Sequence, residues 1–410
     1  MEPEGHGTGR RFRVGMWVGA VCLLVLLLLG AALISGCASL GARAEGERLT
    51  RMQQSPEWHD EQFHNAQPQW KDIGSALLKA FESVPGETPD APVPVVRGDG
   101  TRFQTPPPSG LRITWFGHAS TLIEIDGVKV LTDPIWSDRA SPMAWAGPAR
   151  WYAPPVALHD LPTIDAVLIS HDHYDHLDRA TVEAMKAWKT VFVVPLGIGA
   201  HLARWGVPEA RIIELDWWQS ARVGGVDIVS TPARHASGRI STGSDITLWS
   251  GFALIGPAHR AYYSGDTGLL PALNDIGARL GPFDVALIDA GQYNANWPDA
   301  HLGPEQAVEA QRMVGAKVLI PVHWALFKLA RHSWTEPVER VLAAARCRGT
   351  VVMTPRPGES VEPAREPLQA TPMWWPAIAW NDAKAAPIVS TRSGDPSSRV
   401  ESRGCLTAAR

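Results

Sequence analysis

Cysteine is scarce in this chain: Cys22, Cys37, Cys347 and Cys405 are all that 410 residues contain, and no two stand in Cys-x-x-Cys spacing. That excludes a disulfide framework and a thiolate zinc site. An excess of positive charge is also missing. The formal net charge is −4, which leaves no basic face, so no nucleic-acid partner is expected. No Gly-x-Ser-x-Gly elbow occurs, and serine-nucleophile chemistry therefore lacks support. Internal repeats of fixed period are absent as well. What the chain has in abundance is 14 histidines and 18 tryptophans. With 45% hydrophobic and 20% charged residues it can bury a large core. At about 150 residues per domain its length suggests two or three domains, although a layered α/β fold of this size can be one.

The chain ends differ from the middle. Arg10, Arg11 and Arg13 precede an apolar run from Val14 to Ile34, followed by Ser35-Gly36-Cys37-Ala38. A basic region, an apolar stretch and small residues before a break describe an export signal. Ile34-Ser35-Gly36-Cys37 resembles the bacterial lipobox, in which the cysteine is lipidated and becomes the mature N-terminus. An uncleaved anchor is the alternative, since the run is long enough to span a bilayer. Either way the expectation is a membrane tether in a bacterial cell envelope. Ala38 after the cysteine, where sorting rules weigh Asp, points to the outer membrane. Residues 1–37 are thus read as signal or anchor and 38–108 as an N-terminal extension and linker, Pro- and Gly-rich from Pro85 to Pro108. Residues 109–362 form the main domain. Residues 363–410 are read as a disordered tail, with Trp374, Trp375 and Trp380 as a packed or membrane-touching exception.

From Leu111 onward, strand and helix patterns alternate. Strands are expected at Leu111–Phe116, Thr121–Ile125, Val128–Thr132, Ala166–Ser170, Val191–Pro195, Arg211–Leu215 and Val226–Thr231. Others are expected at Phe252–Ile255, Ala261–Ser264, Val285–Asp289, Lys317–Val322 and Thr350–Thr354. Helical periodicity covers Arg179–Lys189, Pro304–Val314 and Glu336–Ala345. Asp126-Gly127 is a hairpin signal. Hairpins interspersed with helices indicate helix-covered sheets, the first and last strand sets each supplying one sheet of a sandwich.

The most informative segment is His171-Asp172-His173-Tyr174-Asp175-His176, directly after an apolar strand. Three imidazoles and two carboxylates in six residues repel one another if protonated and waste burial if idle. A divalent metal resolves this by taking neutral imidazole and carboxylate ligands at about 2.0–2.2 Å. His171 and His173, alternating on a strand-like segment, point the same way, while Asp175 and His176 turn into the loop and can serve a second ion. Two ions roughly 3.5–4 Å apart make a bridging hydroxide available at neutral pH and neutralise charge building on substrate oxygens.

His171-x-His173-x-Asp175-His176 resembles the signature of the metallo-β-lactamase-fold hydrolases. That resemblance implies an α/β fold, a four-layer αβ/βα sandwich, with metals at the sheet edges. It implies three further ligands at strand ends: His235 in Thr231-Pro-Ala-Arg-His235, Asp266 in Ser264-Gly-Asp266-Thr-Gly, and His323 in Ile320-Pro-Val-His323. Carried over, His171, His173 and His235 hold one Zn2+; Asp175, His176 and His323 hold the other; Asp266 bridges both. Asp133, in Leu131-Thr-Asp133-Pro, is similar to the family's first aspartate, which supports the site by hydrogen bonding.

Within that superfamily the stretch from Ser55 to Gly358 is most similar to the N-acyl-phosphatidylethanolamine-hydrolysing phospholipase D group. The likeness rests on Trp115-Phe-Gly-His-Ala-Ser-Thr, Thr132-Asp-Pro-Ile-Trp-Ser-Asp-Arg, Ser170 to Asp178, Gly265-Asp-Thr-Gly, His301-Leu-Gly-Pro and His323-Trp-Ala-Leu-Phe. One position departs: the polar Gln ahead of the His301 position is Ala300 here. The implied catalytic residues are Asp175, Asp266 and His301, the last contacting phosphate or leaving group; a capping or loop role before Pro304 is its alternative. His118 either lines the site or is a satisfied buried histidine. His59, His64, His159, His201, His259 and His332 are read as structural or surface residues. Trp136, Trp145, Trp151, Trp217, Trp218 and Trp297 fall in expected loops, where indoles form an apolar lip for acyl chains or simply pack in the core. The function implied is hydrolysis of a phospholipid or other small phosphodiester by a membrane-tethered dizinc enzyme. A lactonase of the ascorbate-6-phosphate type uses the same metals on a carbonyl, and a non-catalytic envelope protein is the third reading.

Overall fold

The computed structural model describes residues 38–78, 82–239, 243–368 and 371–400, together with Trp17, Leu23 and Gly36. The lipobox cysteine Cys37 and nearly all of the apolar run before it lie outside these residues. Among the described residues no helix is long and apolar enough to cross a membrane.

Two seven-stranded sheets dominate. The first takes β1 (Leu111–Gly117), β2 (Ser120–Ile125), β3 (Val128–Thr132), β4 (Ala166–Leu168), β5 (Val191–Pro195) and β6 (Ile212–Leu215). The second takes β7 (Ser220–Val223), β8 (Val226–Thr231), β9 (Gly251–Ile255), β10 (Arg260–Tyr263), β11 (Phe283–Asp289), β12 (Ala316–Val322) and β13 (Val351–Val352). The chain then returns to the first sheet as β14 (Ser360–Val361), giving the orders β14-β1-β2-β3-β4-β5-β6 and β13-β12-β11-β10-β9-β8-β7. In each sheet, antiparallel pairs pass into parallel ones, at β3–β4 and at β10–β11. Asp126 and Gly127 close the β2–β3 hairpin at φ +49° and +88°, the positive angles a two-residue turn demands.

Alternation along the strands builds the layers. Ile113, Ile123, Val130 and Leu168 of the first sheet meet Ile228, Leu254, Leu287 and Ile320 of the second in one core. Their neighbours point outward. Leu122, Leu131, Val167 and Phe192 pack under α1 (Arg179–Met185) through Val182 and Met185. On the far side, Tyr262, Ala286 and Leu319 pack under α2 (Ala272–Leu280), α3 (Pro304–Met313) and α4 (Glu336–Arg348) through Leu273, Val308 and Val341. The result is the expected four-layer αβ/βα sandwich. Each fully buried aliphatic side chain contributes about 1.5–3 kcal/mol to holding it together.

Two expectations are corrected. Residues 371–400, read as part of a disordered tail, are ordered on the domain. Thr391 is buried, with its backbone and hydroxyl on Asp299 at 2.7 and 2.6 Å, and the packed exception holds for Trp374, 5.4 Å from Trp324, and Trp375, which donates to Glu339 Oε1 at 2.8 Å. The segment after Ala38 is not a free linker: Trp205 Nε1 donates to the Ala38 carbonyl at 2.8 Å and Arg48 pairs with Glu214 at 2.6 Å. Cys347 is disulfide-bonded.

Candidate metal centre

Strands β8, β10, β11 and β12 run in one direction, so their C-terminal ends share an edge of the second sheet. His235, Asp266, Asp289 and His323 stand at or just beyond those ends. Across from them, β3 and β4 of the first sheet deliver Asp133 and the His171–His176 loop. The sequence pattern took the strand on to Ser170, but pairing stops at Leu168, and the last residues leave the sheet to enter the site. Backbone bonds lock the two edges together: His323 N–H to His118 O at 2.9 Å, His118 N–H to Trp324 O at 3.2 Å, and Ser250 N–H to Ser170 O at 2.9 Å. His118, Asp133 and His323 take positive φ values of 53°, 34° and 68°. Such left-handed backbone in non-glycine residues persists only where surrounding contacts impose it. Gly265 (φ +57°) is required by proximity as well, since a Cβ there would lie 2.7 Å from Ser170 Cβ and 2.8 Å from Ser250 O.

All seven residues implied as ligands converge. His171, His173 and His235 form one group whose donor atoms lie within 4.8 Å of one another; Asp175, His176 and His323 form a second, with His118. Asp266 Oδ2 stands between them, 3.7 Å from His171 Nε2, 3.8 Å from His235 Nε2, 3.1 Å from His176 Nε2 and 3.2 Å from His323 Nε2. In the first group His173 Nδ1 sits 2.9 Å from His171 Nε2 and 3.3 Å from His235 Nε2. Three ring nitrogens facing one point match the lone-pair demand of a single cation.

The outer ring of partners fixes which nitrogen each histidine offers. His171 Nδ1 is held by Ser170 Oγ at 2.9 Å, His176 Nδ1 by Asp133 Oδ2 at 2.7 Å, His235 Nδ1 by the Ala300 carbonyl at 2.8 Å and His323 Nδ1 by Asp289 Oδ1 at 3.2 Å. Their Nε2 atoms are thereby turned to the centre; His173 alone presents Nδ1. Asp133 also accepts from Ser170 N–H at 2.7 Å, from the Ser170 hydroxyl at 2.6 Å and from the Tyr263 hydroxyl. Buried Asp266 Oδ1 and His176 Nε2 have no hydrogen-bond partner, an expensive condition that a cation relieves. Nitrogen and carboxylate donors of this kind suit zinc and other borderline divalent ions.

Electrostatics agrees. Burial, reinforced by neighbouring imidazoles, holds His171 and His235 well below the ordinary histidine range, so they are neutral and ready to donate a lone pair. Burial alone would lower His176 and His323 too. In the metal-free chain Asp266 and the other carboxylates outweigh it, raising His176 well above its usual value and His323 to about 10. Protons there stand where a cation would otherwise compensate the same carboxylates.

His301 stacks 5.0 Å from His323 with Nδ1 on Asp289 Oδ2 at 3.0 Å. It lies in the loop before α3, whose N-cap is Gly303. It lines a cavity of about 560 Å³ together with His173, His235, Lys71, Asp245 and Trp297. His118 is wholly buried behind the centre, with Nε2 2.8 Å from Asp175 Oδ2, and burial followed by the charge on His323 lowers it to about 4. It orients Asp175 and does not face the cavity. Of the six loop tryptophans, Trp297 lines this cavity. Trp217 and Trp218 line a different one, and Trp136 bonds the Val156 carbonyl. Asp289 is the residue that sequence reasoning missed. Its position at the end of β11 was visible, but no spacing distinguishes it from a loop aspartate.

The model of the beta-lactamase superfamily domain matches residues 128–324. An uncharacterized protein of Mycobacterium tuberculosis is 47% identical over 353 residues, covering 82% of this chain and 92% of that protein. A metal-dependent hydrolase of Pyrobaculum aerophilum is 30% identical over 250 residues, 61% of this chain and 98% of its own length. The N-acyl-phosphatidylethanolamine-hydrolyzing phospholipase D 1 of Caenorhabditis elegans is 39% identical over 233 residues, 54% of this chain and 65% of that enzyme.

Proposed function

The chain belongs to the metallo-β-lactamase superfamily of metal-dependent hydrolases, and on that premise we propose that it is a dizinc phosphodiesterase of phospholipase D type. Its substrate is N-acyl-phosphatidylethanolamine or a related phospholipid. The observation that carries this reading is the placement of Asp266 Oδ2 between two histidine groups, within 3.1–3.8 Å of four Nε2 atoms. The likeness to a phospholipase D supports the substrate.

His171, His173 and His235 would hold one ion and Asp175, His176 and His323 the other, with Asp266 placed to serve both. Two zinc ions, when bound, supply Lewis-acid charge and a nucleophile usable at neutral pH. The chain's own residues do the rest. Asp133 and Asp289 keep His176 and His323 in the tautomer that faces the centre. His301, tethered through Nδ1 to Asp289, is the group at the cavity wall that hands a proton to the departing alcohol. In the overall reaction the bond between phosphorus and the head-group oxygen breaks and one oxygen of water joins phosphorus.

Atomic analysis of the gently purified chain is expected to find about two zinc ions per molecule. Turnover of N-acyl-phosphatidylethanolamine micelles in isotopically labelled water is expected to place the label in phosphatidate. Active protein free of transition metal would sink the mechanism. Label recovered only in a carboxylate, with a lactone opened and no phospholipid cleaved, would replace this reading with the lactonase.

A further inference from the structure

The cavity beside the metal centre carries two cationic side chains, Lys71 and Arg239. Arg239 is committed. Its guanidinium donates to the carbonyls of Ser39, Asp172 and Leu177 at 2.6–3.1 Å and lies 4.0 Å over the Tyr174 ring. Lys71 is different, for among the described residues its ammonium has neither a hydrogen bond nor an ion pair. Asp245 lines the same cavity but is engaged by Ser237 N–H at 3.0 Å.

Lys71 nevertheless stands on a rigidly held strap. Trp70 N–H, just before it, donates to Asp299 Oδ2 at 2.8 Å, and Asp72 N–H, just after it, donates to the Asn296 carbonyl at 2.7 Å. Asn296, Trp297, Ala300 and His301 of that same loop form the adjoining cavity wall. Asp299 is itself anchored by the fully buried Arg234, at 2.8 Å, and Arg234 immediately precedes His235. The lysine backbone is thus tied on both sides to the loop that holds His301. The Lys71 side chain itself is exposed to solvent while lining the cavity. An exposed ammonium on this wall can meet an anion that enters the cavity without first giving up a protein partner.

We propose that Lys71 is a substrate-binding residue that takes an unreacting phosphate oxygen of a phosphodiester, making the cavity selective for an anionic over a neutral ester. This deepens the phosphodiesterase reading and rests on it for the identity of the substrate, while the preference for an anion stands on the cavity itself. Charge-assisted contacts of this kind are short and roughly twice as strong as neutral ones.

Calorimetric titration of the zinc-loaded full chain with diethyl phosphate, a phosphodiester monoanion, tests the proposal without turnover. Lys71→Met is expected to weaken that binding about tenfold, equivalent to about 1.4 kcal/mol, at unchanged zinc content and melting temperature. Lys71→Arg should recover most of the affinity, and neutral trimethyl phosphate should not distinguish the variants. Unchanged diethyl phosphate affinity in Lys71→Met, equal losses for both probes, or no binding to the wild-type chain overturns the assignment. If the charge-selective loss is seen while no phospholipid is cleaved, the phosphodiesterase reading fails and the anion site stands.

Discussion

Asp266 is the residue on which both halves of the centre depend. Asp266→Ala removes the one carboxylate oxygen common to both histidine groups, while the core under β10 is untouched. Activity is expected to fall by more than about a hundredfold, beyond what loss of an outer partner costs, with the circular dichroism spectrum retained. Full turnover in that variant would disprove its bridging role. At this scale the histidines were readable because four donors crowd into six positions, which no packing role explains. The remaining ligands were reached through resemblance and strand-end order. Asp289 and Lys71 were not readable: each is an ordinary residue type without a local pattern, made special by what folds against it. The lysine even lies in a stretch whose composition reads as extension.

At the scale of elements, the strap, the site loop and the tail meet at one buried carboxylate. Asp299 accepts from Arg234 and Trp70, and from the backbone and hydroxyl of Thr391 at 2.7 and 2.6 Å. Asp299→Ala leaves Arg234 buried and uncompensated, a loss of about 3–5 kcal/mol in unfolding free energy, read as a lower denaturant midpoint. A midpoint shifted by less than the error of the titration would mean the junction does not hold these pieces. Most strands were legible because alternating apolar residues face two cores. β7 escaped because it is a polar edge strand, half open to solvent. α2 escaped because only Leu273 and Ile276 of its nine residues are buried, too thin a stripe to register as periodicity. The helix expected to reach Lys189 stops at Met185, the last residue it buries.

For the whole molecule, the reading of the N-terminus as a lipidated tether is tested on processing. Globomycin-type inhibition, and separately Cys37→Ser, is expected to leave a longer precursor; unchanged size and membrane partition in both would favour an uncleaved anchor. The chain ends were the least legible part, because Pro, Gly and Ser composition announces irregular backbone but not whether that backbone is pinned. In residues 371–400 it is pinned both by side chains from the domain, such as Asp299, and by hydrogen bonds of its own, such as Val400 N–H to the Ser390 carbonyl at 2.7 Å. The superfamily match spans 128–324, so the strap that carries Lys71 and the tail that meets Asp299 both fall outside it. On the reading proposed above, exchange of the strap would change which esters are accepted while leaving the histidine and aspartate cluster as it is.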